Sequence, residues 1–236
     1  LLIGTREFPK CLNDRMRAKN VLCHQICTQG MASCGFLPLG RKLFLCRKQE
    51  RSMPVLQQTA EIMDEAAVRR ALTRIAFEII EKNHGSRSLL LAGIQTRGVP
   101  LAERIADKLG EVEGFRPPVL PLDIGPFRGD LPHTAPPVLP DIPGLAGCTV
   151  VIVDDVLYTG RSVRAAIEAV SHMGRAARIQ LAVLIDRGHR ELPIRPDYVG
   201  KNLPTSQNER VCVSLRETDG EDRVTIVKQS GTAASE

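Results

Sequence analysis

The run Val150-Val151-Ile152-Val153-Asp154-Asp155-Val156-Leu157-Tyr158-Thr159-Gly160-Arg161-Ser162 decides how this chain is read. Four consecutive β-branched apolar residues, Val150 to Val153, predict a strand buried on both faces, the pattern of a parallel sheet. Asp154 and Asp155 fall where that strand should emerge at its C-terminal end. Thr159-Gly160-Arg161-Ser162 then turns the chain, and Val163 to Val170 reads as the opening of a helix. Ligands of open α/β sheets bind at the carboxyl ends of strands, and N–H groups at the start of the next helix make a site for a phosphate. One short segment therefore sets an acidic pair beside an anion nest, which suits a ligand carrying both hydroxyls and a phosphate. The competing reading is a Rossmann-type strand ending in a structural Asp pair, but burying two adjacent carboxylates for stability alone is expensive. The turn is not a Walker A loop, since it lacks the Lys and the upstream glycine, and the chain has no GxGxxG fingerprint.

Working outward, 236 residues allow one sizeable domain and an appendage. The net charge of +5 misleads. Residues 1–52 hold ten Lys/Arg against three Asp/Glu, a net of +7, while the rest has 22 against 24, a net of −2. The pI is therefore no argument for nucleic-acid binding, and 3% aromatic content with no Trp argues against a base-stacking single-strand binder. No apolar run approaches the ~18 residues that cross a bilayer. Five cysteines lie in the first 46 residues. Cys23-His24-Gln25-Ile26-Cys27 with Cys34 does not match a paired Cys-x2-Cys zinc framework. The other two, Cys148 and Cys212, sit beside or within strand-like runs and are expected to be buried thiols, implying a reducing compartment and a cytoplasmic location. Residues 1–52 show no sustained period and no apolar core of a secretory signal. They are expected to be a non-domain leader, disordered or upstream of the true start at Met53-Pro54, with the domain over 53–229 and a polar tail over 230–236.

Asp64 is a candidate N-cap, and Val68, Leu72, Ile75 and Ile79 recur at helical spacing up to the C-cap Asn83-His84-Gly85. Leu89 to Ile94 predicts a buried strand and Val99 to Leu109 a helix ending at Gly110. Between them lies the loop Gln95-Thr96-Arg97-Gly98, where Gly98 would permit close backbone approach to a ligand. Val119 to Ile124 and Arg178 to Ile185 are strand-like. Val211 to Arg216 and Val224 to Val227 flank Thr218-Asp219-Gly220-Glu221 as a C-terminal hairpin. Nine of the sixteen prolines fall between Pro117 and Pro143, so a stretch of about 20 residues there is an irregular, functional or mobile loop. Strand–helix alternation predicts an α/β fold, a parallel twisted sheet flanked by helices.

The Asp154 to Ser162 segment resembles the phosphoribosyl pyrophosphate (PRPP) signature of type I phosphoribosyltransferases, and Thr96-Arg97-Gly98 resembles their pyrophosphate loop. Further runs narrow the likeness: Arg69 to Ala76, Leu181 to Arg195, and Tyr198 to Ser206. Together these resemble the PyrR family, bifunctional bacterial proteins that attenuate pyrimidine operons and act as uracil phosphoribosyltransferases. The likeness runs from about residue 57 to residue 228. It implies the type I phosphoribosyltransferase fold and transfer of phosphoribose from PRPP to uracil, giving UMP and pyrophosphate. It also implies Mg²⁺, with no direct protein ligand to the metal. On that view Asp154, Asp155 and Arg128 are catalytic, with Asp154 and Asp155 holding the ribose hydroxyls. Val156, Leu157 and Tyr158 complete the PRPP segment, and Thr159, Gly160, Arg161 and Ser162 grip the 5′-phosphate. Thr96, Arg97 and Gly98 bind pyrophosphate, and Asp186 and Arg187 stand at the base end. Thr73, Arg74, His189, Arg190, Arg195 and Lys201 would form a basic surface for pyrimidine-operon leader RNA, and a homo-oligomer is expected.

The chain departs from the family's Asp-Ile-Thr-Leu-Tyr-Arg-Asp-Asp loop, reading Asp123-Ile124-Gly125-Pro126-Phe127-Arg128-Gly129-Asp130, and Phe77 stands where relatives carry His. Three functions follow from these residues: the enzyme, with or without RNA regulation; an RNA-binding regulator sensing UMP; or a phosphoribosyltransferase for another base.

Overall fold

A computed structural model of the chain describes residues 58–128 and 145–228. The leader, most of the proline-rich loop and the polar tail lie outside the described residues. The strand predicted from Val150 to Val153 runs over Thr149–Leu157 (β4), with those four residues at most 1% exposed. It lies in the middle of a five-stranded parallel sheet. On one side is Leu89–Ile94 (β2) and beyond it Val119–Leu122 (β3). On the other are Arg178–Asp186 (β5) and Tyr198–Asn202 (β6), giving the order β3-β2-β4-β5-β6. The order reverses between β2 and β4, and a crevice opens outside the strand ends at such a switch point.

Three helices cover this sheet. Glu65–Asn83 (α1) starts as its sequence predicts, with Asp64 Oδ1 accepting from Ala67 N–H at 2.7 Å, a cap worth about 1 kcal/mol. It ends with His84 left-handed and Gly85 N–H bonded to Ile80 O at 3.1 Å. Gly98–Glu113 (α2) packs beside α1 on the face that presents Val151 and Val153. Arg161–Met173 (α3) packs against β4 through Val163, Ala166 and Val170. Strand side chains alternate, so the fully buried Val150 and Ile152 belong to that opposite face. None of the helices among the described residues is long and apolar enough to cross a membrane.

The expectation that α2 ends at Gly110 is corrected. Gly110 lies inside the helix, where a Cβ would stand 3.1 Å from Arg116 Cβ, and the terminus is Gly114 at φ +68°. The C-terminal hairpin is likewise part of something larger. Gln58–Met63 (β1), Glu209–Ser214 (β7) and Arg223–Lys228 (β8) form a separate antiparallel sheet in the order β1-β8-β7. The link from β7 to β8 holds one helical turn, Arg216–Asp219 (α4), in place of a tight turn. Cys148 is buried as expected, whereas Cys212 on β7 is only half-buried.

Candidate active site

A cavity of about 410 Å³ opens at the switch point, lined by Ile94, Gln95, Thr96, Arg97, Asp123, Ile124, Gly125, Arg128, Asp154, Asp155, Val156 and Ser162. The ends of β2, β3 and β4 and the first turn of α3 supply these residues. Asp154 is 8% exposed, and its Oδ1 accepts from Asp155 N–H at 3.0 Å. Asp155 Oδ1 accepts from Val156 N–H at 2.7 Å. Both carboxylates sit on β4 itself, which continues to Leu157 paired with β5. The strand therefore runs four residues beyond Val153, where the sequence pattern ended it. Burial and then the neighbouring Asp155 charge hold the Asp154 carboxyl well above the usual carboxylate range. A carboxyl so shifted inside a cavity marks a candidate functional group.

After Leu157 the chain forms the predicted turn. Gly160 adopts φ +94° and, as the cap residue, has no side chain to offer. Arg161 N–H makes a long bond to Thr159 Oγ1 at 3.4 Å, and the N–H groups of this first turn point the positive end of α3 toward an anion. Ser162 lines the cavity. The loop is held from behind by a segment whose sequence suggested other duties. Thr159 O accepts from Glu191 N–H and Leu192 N–H at 3.1 and 3.2 Å, and Arg161 pairs with Glu191 at 2.7 Å. Arg190 donates to Leu157 O, Tyr158 O, Gly188 O and Ile194 O at 2.8–3.2 Å and pairs with Asp186 at 2.6 Å. This guanidinium, expected on an RNA-facing surface, is engaged inside the loop scaffold.

Asp186 and Arg187 do not line the cavity. Asp186 serves Arg190 and Gly188 N–H. Arg187, 7% exposed, ties down Thr205, Ser206 O and Glu209 O. Its guanidinium also lies 4.1 Å from the centre of the Tyr158 ring, which is otherwise 39% exposed.

On the other wall, Arg97 follows a cis Gln95–Thr96 peptide and lines the cavity beside Thr96. Gly98 has a different purpose from the one expected. A Cβ there would stand 2.3 Å from Val153 O, so glycine permits the start of α2 to lie against β4 rather than a ligand to approach. Asp123, absent from the sequence-based set, also faces the cavity, and its Oδ1 accepts from Gly125 N–H at 2.9 Å. Its signal is its position, a carboxylate directly after the end of β3. The turn Gly125–Phe127 presents Arg128 to the cavity. Phe127 packs on His172 with ring centres 5.2 Å apart, and Arg164 donates to Phe127 O at 3.3 Å.

The remaining basic residues fall into separate groups. Arg74 donates to Val199 O at 2.8 Å and to Gly200 O, Lys201 to Ile62 O at 3.0 Å, and Thr73 to Arg69 O at 2.9 Å, so these three gather around α1 and β6. Phe77 on α1 is 50% exposed. His189 approaches Thr205 O in the loop after β5, and Arg195 is exposed further along.

Comparison with known proteins agrees with this geometry. The family "Phosphoribosyl transferase domain" matches residues 58–217. The "Bifunctional protein PyrR" of Chloroflexus aurantiacus is 58% identical over 174 residues, covering 72% of this chain and 96% of that protein. That of Pelotomaculum thermopropionicum is 56% identical over 176 residues, covering 73% and 97%. Among solved structures, a Staphylococcus aureus hypoxanthine phosphoribosyltransferase superposes with TM-score 0.55 at 14% identity, covering 72% of this chain and 93% of that one. At that identity the likeness concerns the fold alone. More than half of all positions are shared along nearly the full length of the curated relatives, so the chain belongs to the PyrR family of phosphoribosyl transferase domain proteins.

Proposed function

We infer that this chain is a bifunctional PyrR protein: a uracil phosphoribosyltransferase, joining PRPP to uracil to give UMP and pyrophosphate, and a regulator of pyrimidine-operon transcription. The observation that carries the catalytic half is the acidic pair, Asp154 buried and Asp155 half-buried, beside the N-terminus of α3 with its Gly160 cap at the switch point. Asp154 and Asp155 accept the ribose hydroxyls, charge-assisted bonds of the stronger class. The N–H groups from Thr159 to Ser162 hold the 5′-phosphate. Thr96 and Arg97 grip the pyrophosphate, and Arg128 approaches the same group from the β3 side. As the bond from ribose C1 to pyrophosphate breaks, charge grows on the leaving group and an oxocarbenium-like character on the sugar. Donors already fixed at that place lower the barrier without reorganising.

Among the described residues no three His, Cys, Asp or Glu side chains form a metal cluster. Asp123, Asp154 and Asp155 nevertheless give one cavity the hard oxygen donors that suit Mg²⁺ shared with phosphates and water. These carboxylates would hold it through water, and when bound it would offset the pyrophosphate charge. Asp186 and Arg187 are assigned here to loop support, not to base contact. For RNA, the surface proposed is Thr73, Arg74 and Lys201 around α1 and β6, without Arg190. A homo-oligomer and a cytoplasmic location belong to the same proposal. Assaying the full chain with PRPP and a panel of bases tests the substrate: product from uracil alone supports it, and turnover of a purine in its place refutes it. Leader-transcript binding, strengthened by UMP, tests the regulatory half.

A further inference from the structure

The antiparallel sheet is hydrogen-bonded separately from the strands that carry the cavity, yet the link between β7 and β8 touches a residue that lines it. Asp219, in the single turn α4, accepts from Arg97 Nη2 at 3.0 Å and Nε at 3.3 Å. The same carboxylate accepts from Thr218 Oγ1 at 2.7 Å and from Leu215 N–H at 3.0 Å. It is thus anchored to its own backbone before it touches Arg97. The Thr218 hydroxyl, the Leu215 N–H and Arg97, in that order, hold its carboxyl down to about 2, so it is ionised at neutral pH. Arg97, just before α2, and Arg104, within it, both meet this link, and they differ in what they face. Arg104 binds Glu217 and Asp222 through four hydrogen bonds of 2.7–2.8 Å and docks the link on the helix. Arg97 alone of the two lines the cavity. Asp219 takes the Nε–Nη2 edge of its guanidinium and leaves the Nη1 side for an anion. The residue also lies beyond positions 58–217, the part matched by the general domain family.

We propose that Asp219 is a positioning residue that fixes the Arg97 guanidinium for the pyrophosphate group of PRPP. The proposal rests on the assignment of Arg97 to pyrophosphate made above. Without Asp219 the long side chain must be ordered by the ligand itself, and that ordering weakens binding by roughly three- to tenfold.

The test is calorimetric binding of magnesium pyrophosphate to the full chain, with KM for PRPP and for uracil measured alongside. Asp219→Asn should weaken pyrophosphate binding and raise KM for PRPP by that factor, leaving KM for uracil unchanged. Glu217→Gln disturbs the docking by Arg104 without touching Arg97, and it should bind pyrophosphate as the wild type does. Thr218→Val removes one tether but keeps the charge, and should shift binding the same way by less. Unchanged or tighter binding in Asp219→Asn overturns the proposal, as does an equal loss in Glu217→Gln. Should Asp219→Asn not fold, the same readings on Thr218→Val decide. Arg97→Ala binding pyrophosphate normally would refute the site assignment itself, and the proposal with it.

Discussion

Gly98→Ala puts the geometry of the site under the most direct mechanical strain. The added Cβ would stand 2.3 Å from Val153 O and 3.2 Å from Val153 C. Carbon and carbonyl oxygen ordinarily stay about 3.3 Å apart or more, so α2 must retreat from β4 by about 1 Å. Both sides of the clash are backbone in regular elements, and no flexible side-chain end can give way. Overpacking of this kind costs about 2–3 kcal/mol, which in a domain of this size lowers Tm by about 5–10 °C. The displaced segment begins directly after Thr96 and Arg97, and an error of about 1 Å in a positioned group can cost on the order of 10²-fold in rate. Calorimetric melting and steady-state kinetics in PRPP check both effects. Gly114→Ala is the control: it has φ +68° but nothing within 4 Å of its Cβ. It should lose only about 1–2 kcal/mol of backbone strain and keep the wild-type KM for PRPP. A Gly98→Ala protein that melts like the wild type and keeps its KM would refute the reasoning.

Two further outcomes follow. Asp154 is held above the usual carboxylate range, so the folded state retains its proton where the unfolded state has lost it. Stability is therefore lost as pH rises from the ordinary Asp range to the raised value, and is flat beyond. Asp154→Asn should be more stable than the wild type in urea at neutral pH, with the gap closing toward pH 4; a gap that is constant or reversed contradicts this. Arg190→Ala removes four carbonyl contacts and the partner of Asp186 behind the Tyr158–Gly160 turn. A stability loss on the order of 2–4 kcal/mol and a raised KM for PRPP should be seen in denaturation and kinetics, whereas an effect on RNA binding alone would restore the surface role.

The elements that sequence reveals here are those whose cause is local. Val150 to Val153, the Asp64 cap and the left-handed exit at His84 and Gly85 each rest on neighbouring residues, and the structure keeps all three. What the sequence hides depends on distant partners. Gly98 is dictated by Val153, and Gly200, which weakens the pattern of β6, is dictated by Leu184 O at 2.5 Å from its would-be Cβ. The strand β1 has no apolar run of its own and exists by pairing with β8 at the far end of the chain. Arg190 looks like surface charge until the carbonyls that converge on it are known. Asp123 is hidden for the same reason: only the strand order β3-β2-β4 brings the end of β3 to the cavity that Asp154 and Asp155 line.

The central claim is that the acidic pair on β4 acts on the ribose of PRPP. UMP formation from uracil and PRPP, measured for the wild type, Asp154→Asn and Asp155→Asn with folding checked by circular dichroism, tests it most directly. The account predicts UMP from the wild type and a loss on the order of 10²-fold or more in each folded variant. Full turnover in both variants, with unchanged PRPP affinity, would contradict it.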